Sequence, residues 1–324
     1  MKSTSQRVIQ LSLFPPGEVE TADTPKHVIN VASVPKRSPF RYPGGKTWLV
    51  PTARKWFEKA WPGSHLIEPF AGGGIISLTA VAEKYFEHAT LVELDDDVAA
   101  VWQTILGEDS TWLINRIASF QVTAEAVNEA VLQGDNGTKE LAFSTIVRNR
   151  TNHGGILARG TGLIKTGEHG RGLSSRWYPA TLIRRISAAN RMRKSISFIH
   201  GDALRTIEQH LNDEDAFFFI DPPYTVAGRR LYNHFEVDHY RIFELVSHMR
   251  GQFLLTYDDT PEVRRWAEKF GLPYTTIPMQ TTHLIKKEEL LISNDFGWYV
   301  SEGVDSRHES QERYVKYSCE AKAI

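Results

Sequence analysis

Short runs of consecutive apolar residues alternate along this chain with stretches whose apolar positions recur every three or four residues. The runs fall at Leu66–Phe70, Thr90–Leu94, Ile196–His200, Ala216–Ile220, Phe253–Tyr257, Thr275–Pro278 and Glu289–Ser293. The periodic stretches are Thr47–Ala60, Gly74–Glu87, Asp96–Leu106, Asp238–Arg250 and Pro261–Phe270. Runs of this kind predict buried strands, and the stripes predict amphipathic helices. Their alternation predicts an α/β fold, a Rossmann-like and largely parallel sheet of about seven strands with helices on both faces.

The alternation breaks between residues 107 and 194. Helical patterns at Thr123–Leu132 and Lys139–Arg148 lead into a loop rich in Gly, Thr and Arg from Asn149 to Ser175, and then into a basic helix, Leu182–Lys194. This predicts an inserted helical subdomain, 107–194, dividing a catalytic domain into 40–106 and 195–300. Residues 1–39 hold five prolines and little periodicity, so a flexible N-terminal tail is expected there, with a C-terminal tail at 301–324.

Composition narrows the class. With 41% hydrophobic residues among 324, the chain has the means to bury a large core. No run of 18 apolar residues predicts a membrane span, and the polar N-terminus lacks a signal-peptide core. Cys319 is the single cysteine, so no intrachain disulfide or cysteine-rich metal site is expected, and a cytoplasmic protein without a metal is. Net charge is −1, yet Lys139–Lys194 carries twelve Lys or Arg against two acids, Glu140 and Glu168. That asymmetry predicts one basic face suited to phosphates; a solvated basic helix is the plainer alternative.

Candidate chemistry gathers at the predicted strand ends, where open α/β sheets bind ligands. Ala216–Ile220 is followed directly by Asp221-Pro222-Pro223-Tyr224, an acid, a stiff turn and an aromatic ring. By itself this is equally a strand-ending turn. Leu66–Phe70 leads into Ala71-Gly72-Gly73-Gly74, where Gly72 and Gly74 allow a ligand close to the backbone. The full dinucleotide pattern G-x-G-x-x-G fails at Ser77, which disfavours a nicotinamide dinucleotide. Glu93, about 20 residues beyond the glycines, is placed to accept from ribose hydroxyls, unless it is only a strand-end acid beside Asp95, Asp96 and Asp97. Asp202 is placed either to accept from an adenine amine or to cap the helix beginning at Ala203. Gly44-Gly45-Lys46 has a phosphate-loop look, but Phe40 stands where the first glycine belongs.

Taken together, and in this order, Tyr42-Pro43-Gly44-Gly45-Lys46, Glu68-Pro69-Phe70-Ala71-Gly72-Gly73-Gly74, the insert and Asp221-Pro222-Pro223-Tyr224 resemble the Dam-type (D12 class) DNA adenine-N6 methyltransferases. The resemblance covers roughly residues 40–295, with Tyr232, Phe235 and Lys287–Asn294 matching later features. It implies S-adenosyl-L-methionine as cofactor, held by Tyr42, Lys46, Glu68, Phe70, Gly72, Gly74, Glu93, Asp202 and Asp221. Tyr42 takes the place of a usual tryptophan against the methionine portion. Lys46 would lie beside the methionine carboxylate. Glu93 stands where the family usually has aspartate.

The resemblance further implies catalysis by Asp221, Pro222 and Tyr224 on an adenine flipped out of double-stranded DNA. Asp221 and the Pro222 carbonyl would accept from the N6 amine, and Tyr224 would stack on the base. Arg148, Arg150, Arg159, Arg171 and Arg176 are the expected DNA contacts. Gly154-Gly155 replaces the family's asparagine-glycine pair and its Phe-Asn-Val-Pro stretch is missing, so a GATC target does not transfer. An N4-cytosine or RNA amino-methyltransferase, or an inactive DNA-binding regulator of the same fold, are the alternatives. Finally, Gln10-Leu11-Ser12-Leu13-Phe14 is similar to the short peptide by which bacterial proteins dock on the DNA sliding clamp, with Gln10, Leu13 and Phe14 as anchors.

Overall fold

The computed structural model describes residues 17–18, 31–41, 44–158, 160–167, 170–224, 237–280 and 286–299. The expected clamp-docking residues Gln10, Leu13 and Phe14 lie outside these, as do Tyr42, Arg159, Tyr232, Phe235 and Cys319. Eight strands form one sheet: β1 (Gly17–Glu18), β2 (His65–Glu68), β3 (Ala89–Glu93), β4 (Ile196–His200), β5 (Ala216–Ile220), β6 (Gln252–Asp258), β7 (Pro273–Gln280) and β8 (Lys286–Ser293). Their order is β1-β7-β8-β6-β5-β2-β3-β4. Seven of the eight match the predicted runs. The eighth, two-residue β1, pairs in parallel with β7 and falls inside the expected tail.

β5 shows why its sequence is apolar throughout. It pairs in parallel with β2 on one side and β6 on the other, so both faces are covered. Phe217 and Phe219 point into a core built with α1 (Val50–Phe57) and α2 (Ile75–Ala82). Phe218 and Ile220 point the opposite way, into a core shared with α8 (Ala203–Gln209), α9 (His239–Ser247) and α10 (Pro261–Lys269). The pleat's two-residue period thus sends alternate side chains to two cores. β2, β3, β4, β5 and β6 run parallel, whereas β8 enters antiparallel between β6 and β7. That inversion brings the start of β8 to the rim where β5 and β6 end.

The insert is helical, as expected. It comprises α4 (Ser110–Ser119), α5 (Ala124–Leu132), α6 (Thr138–Thr151) and α7 (Pro179–Arg191), joined by 3₁₀ turns at His153–Gly155 and Gly172–Arg176. Its core is not separate. α6 packs along α3 (Asp96–Leu106), and Leu91, Val101, Trp102, Ile146 and Ile186 belong to one buried cluster. The insert is therefore anchored on the β3–β4 half of the sheet.

Part of the expected tail is also packed. Val34 is buried beside α1, and residues 38–41 are strapped to the insert. Asn149 accepts from Arg41 N at 2.9 Å and donates to Arg41 O at 3.0 Å. Its amide also donates to Gly155 O at 2.8 Å. Gly155 has φ +77°, and a Cβ there would meet Arg41 O at 2.9 Å, so the strap requires glycine. No helix among the described residues is long and apolar enough to cross a membrane.

Candidate active site

The carboxyl ends of β2, β3 and β5 open into a single cavity of about 1110 Å³, closed on its far side by α7 and residues 150–156 of the insert. Phe70 and Gly72–Gly74 line it from β2, Glu93 from β3, Asp202 from the β4–α8 turn, and Asp221–Tyr224 from β5. These expected residues are therefore brought together. Gly74 begins α2 in the left-handed region, φ +61°, with the position of a Cβ only 2.9 Å from Trp102. The same indole donates to Gly72 O at 2.9 Å and fixes the turn from behind.

The β2–β3 side of the cavity is rich in acceptors. Glu93 takes backbone N–H bonds from Gly72 at 2.9 Å, Leu94 at 2.9 Å and Asp95 at 3.0 Å, which hold its carboxylate at the strand end. Burial raises its pKa, and these bonds oppose the rise. Asp202 Oδ1 caps α8 through Arg205 N at 2.8 Å, so the capping role is realised while the residue still lines the cavity. Glu68 is buried under the turn and accepts from Ser77 N at 3.0 Å. Burial pushes its carboxyl up to about 8.

Asp221 sits in a charged cluster that sequence reading resolved only in part. Lys46 Nζ lies 2.8 Å from Asp221 Oδ1, and Thr256 Oγ1 donates to the same oxygen at 2.8 Å. Lys46 Nζ is also 3.2 Å from Gly44 O and 3.9 Å from Glu289 Oε2. Burial alone would lower the Lys46 pKa, but Asp221 and Glu289 outweigh it and the net shift is upward. Glu289, buried on β8, is raised by burial and by Asp221, against the pull of Lys46. Tyr224 donates to Glu289 Oε2 at 2.7 Å, and its ring lies 6.2 Å from that of Tyr257, inclined by 21°. Lys46, expected beside a cofactor carboxylate, lines the cavity with its ammonium near two carboxylates of the protein, Asp221 and Glu289. Thr256 and Glu289 were not foreseen. Both reach the site because β6 pairs with β5 and β8 pairs with the far edge of β6 at this rim.

The insert's arginines divide sharply. Arg148 is bound to Asp97 at 2.7 Å and to Thr145 at 3.2 Å. Arg171 is exposed and donates to Tyr178 Oη at 2.6 Å and to Ser175 O at 3.2 Å. Arg176 is half-buried and lines the cavity. Arg150, only 6% exposed, lines the cavity too and donates to Pro39 O. Burial, with Arg185 and Arg41 nearby, lowers its pKa to about 9. Arg185 was missed. It donates to Ser38 O at 3.1 Å, and burial followed by Arg184 and Arg41 lowers its pKa. Its spacing was a usable signal: Leu182, Arg185, Ile186 and Ala189 share the inward face of α7.

Among solved structures, the chain resembles an S-adenosylmethionine-dependent methyltransferase from Agrobacterium tumefaciens, at 10% identity and TM-score 0.37, over 76% of this chain and 60% of that one. It also resembles the ribosomal RNA methyltransferase AviRa from Streptomyces viridochromogenes, at 10% identity and TM-score 0.33, over 86% of this chain and 99% of that one. No curated protein sequence matches the chain. The family model for D12 class N6 adenine-specific DNA methyltransferases, however, matches residues 42–278, which takes in the glycine turn, the insert and Asp221–Tyr224, and the chain belongs to that family.

Proposed function

We propose that this enzyme flips an adenine out of double-stranded DNA and methylates its N6 amine in the cavity between sheet and insert. The carrying observation is that one cavity joins three unlike surfaces: an acceptor-rich wall, Asp221–Tyr224, and the insert's arginines Arg150 and Arg185. S-adenosylmethionine is the methyl donor in this family. Its hydroxyls, adenine amine and ammonium suit the wall formed by Glu93, Asp202 and the open Gly72–Gly74 turn. When bound it supplies an electrophilic methyl group.

The protein's part is positioning. Asp221 Oδ1 is occupied by Lys46 and Thr256, while no described residue donates to Oδ2. Oδ2 and the Pro222 carbonyl are the acceptors for the two N6 hydrogens. Holding both directs the nitrogen lone pair toward the methyl group and favours a tetrahedral nitrogen. The bound cofactor would supply the methyl group with its sulfur as leaving group, and Asp221 or water would take the amine's surplus proton. Lys46 is the positioning residue: its buried ammonium, 2.8 Å from Oδ1, holds Asp221 in one orientation. Tyr224 supplies the ring beside which the base rests, itself held by Glu289 and Tyr257.

An adenine inside a duplex cannot reach this depth, so extrusion is required. Arg150 and Arg185 meet only main-chain carbonyls among the described residues, Pro39 O and Ser38 O. One buried and one half-buried cation with no carboxylate partner among the described residues make a seat for a phosphate of the extruded nucleotide. The N-terminal Gln10, Leu13 and Phe14 are proposed to dock on the sliding clamp. Retention of the chain on immobilised clamp should disappear in a Leu13→Ala/Phe14→Ala variant, and equal retention would remove that role. For the reaction itself, nucleoside analysis of duplex DNA treated with protein and methyl donor should show N6-methyladenine. Methylation found on cytosine, or on RNA only, would overturn the reading.

A further inference from the structure

At the amino ends of the central strands, on the opposite side of the sheet from the cavity, three potential metal ligands converge. His65 opens β2, His210 follows α8, and Asp213 lies in the connection to β5. His65 Nε2 and His210 Nδ1 each stand 3.3 Å from the same oxygen, Asp213 Oδ2. The three ligand atoms all lie within 4.8 Å of one another. The other oxygen, Oδ1, accepts from Asp215 N at 3.2 Å, which fixes the carboxylate's orientation. All three side chains are half-buried.

The His210 contact is within hydrogen-bond range, but both contacts are long for an ion pair. A charge-assisted hydrogen bond from imidazolium to carboxylate closes to about 2.7–2.9 Å. Neighbouring ligands of a tetrahedral ion with bonds of about 2.0–2.1 Å stand about 3.3–3.4 Å apart. Both imidazoles stand 3.3 Å from one shared oxygen, close to the second value. The carboxylate's anchor to the Asp215 N–H is the outer-shell support that metal ligands usually have.

We propose that His65, His210 and Asp213 bind one zinc ion, with water in the fourth position, pinning β2 to the α8–β5 connection. Two imidazoles and one carboxylate suit zinc among common divalent ions. The site is structural and remote from methyl transfer, so it stands or falls apart from the proposed reaction.

The test uses the full chain with any histidine tag removed, because added histidines would themselves bind metal. Equilibrium dialysis against Zn²⁺ should leave one equivalent bound to the wild type and none to a His65→Gln/His210→Gln variant. Co²⁺ in place of Zn²⁺ should give the strong visible bands of tetrahedral coordination in the wild type alone. Zn²⁺ should raise the wild-type Tm by several degrees and leave that of the variant unmoved. Asp213→Asn provides an independent check, since it keeps the volume and should still weaken binding at least tenfold. Should the double variant be unfolded by circular dichroism, Asp213→Asn decides alone. Equal Zn²⁺ retention by wild type and a folded variant, or no retention by wild type, overturns the proposal.

Discussion

The two walls of the cavity handle buried charge in opposite ways. On the sheet side the charges around Asp221 and Glu93 are answered: Lys46 by Asp221 and Glu289, Asp221 by Lys46 and Thr256, Glu93 by three backbone N–H groups. On the insert side Arg150 and Arg185 face one another with only carbonyl oxygens for company. A compensated wall is already arranged before any ligand arrives, which is what positioning chemistry demands. A wall with surplus buried positive charge is completed only by an anion. The contrast assigns reaction geometry to the strands and substrate capture to the insert.

The sharpest test of that division is to unbalance the compensated wall. Asp221→Ala removes the acceptor for the N6 amine and leaves Lys46 beside Glu289 alone. Methyl transfer should fall by at least about 10³-fold, with cofactor binding retained, as read by single-turnover kinetics and calorimetry. Turnover within tenfold of wild type would break the assignment. Thr256→Val removes one hydrogen bond from Asp221 Oδ1, of about 0.5–1.5 kcal/mol, and should lower kcat several-fold without moving KM for DNA.

Changes on the insert wall should read out differently. Arg185→Gln keeps a donor for Ser38 O but removes the charge, and Arg150→Met removes the second cation. Each should weaken DNA binding by about ten- to a hundredfold, the worth of a charge-assisted bond of about 1.5–3 kcal/mol. The slope of log affinity against log salt should drop by about 0.9 per lost phosphate contact. Rates at saturating DNA should stay close to wild type. If instead kcat collapses while the salt slope stands, the insert wall belongs to the chemistry and the division fails.

The same contrast separates what was legible in the sequence from what was not. Asp221 and the Gly72–Gly74 turn follow directly on apolar strands, so their place at the carboxyl rim could be read from local pattern. Glu289 and Thr256 could not, because their arrival beside Asp221 depends on β8 inserting antiparallel next to β6. Lys46 was noticed, but its pairing with Asp221 was not: that partner lies 175 positions away, and nothing local announces the pair. Arg185 carried a signal that charge counting obscured, an arginine on the apolar face of α7 among Leu182, Ile186 and Ala189. Arg148 shows the reverse, a cation in a basic stretch that turns out to be neutralised by Asp97 on α3. Net charge along a segment reports a surface; burial decides which of its members face a ligand.

Glu68 offers the mildest test, because it belongs to the sheet wall yet lacks a cationic partner of its own. Burial holds its carboxyl near 8 in the folded chain, against about 4.5 for an ordinary glutamate. Between those values the folded state binds the proton and the unfolded state does not, so stability falls as pH rises from about 4.5 through 8 and is level above. Each unit of difference is worth about 1.4 kcal/mol. Glu68→Gln copies the protonated form and keeps an acceptor for Ser77 N. Thermal melts of the ligand-free proteins should show the variant losing less Tm than wild type between pH 5 and 8. The gap should widen toward pH 8 and stop growing beyond it. Parallel pH profiles would mean that Glu68 is already compensated in solution, and that the sheet wall balances this charge as completely as it balances Asp221.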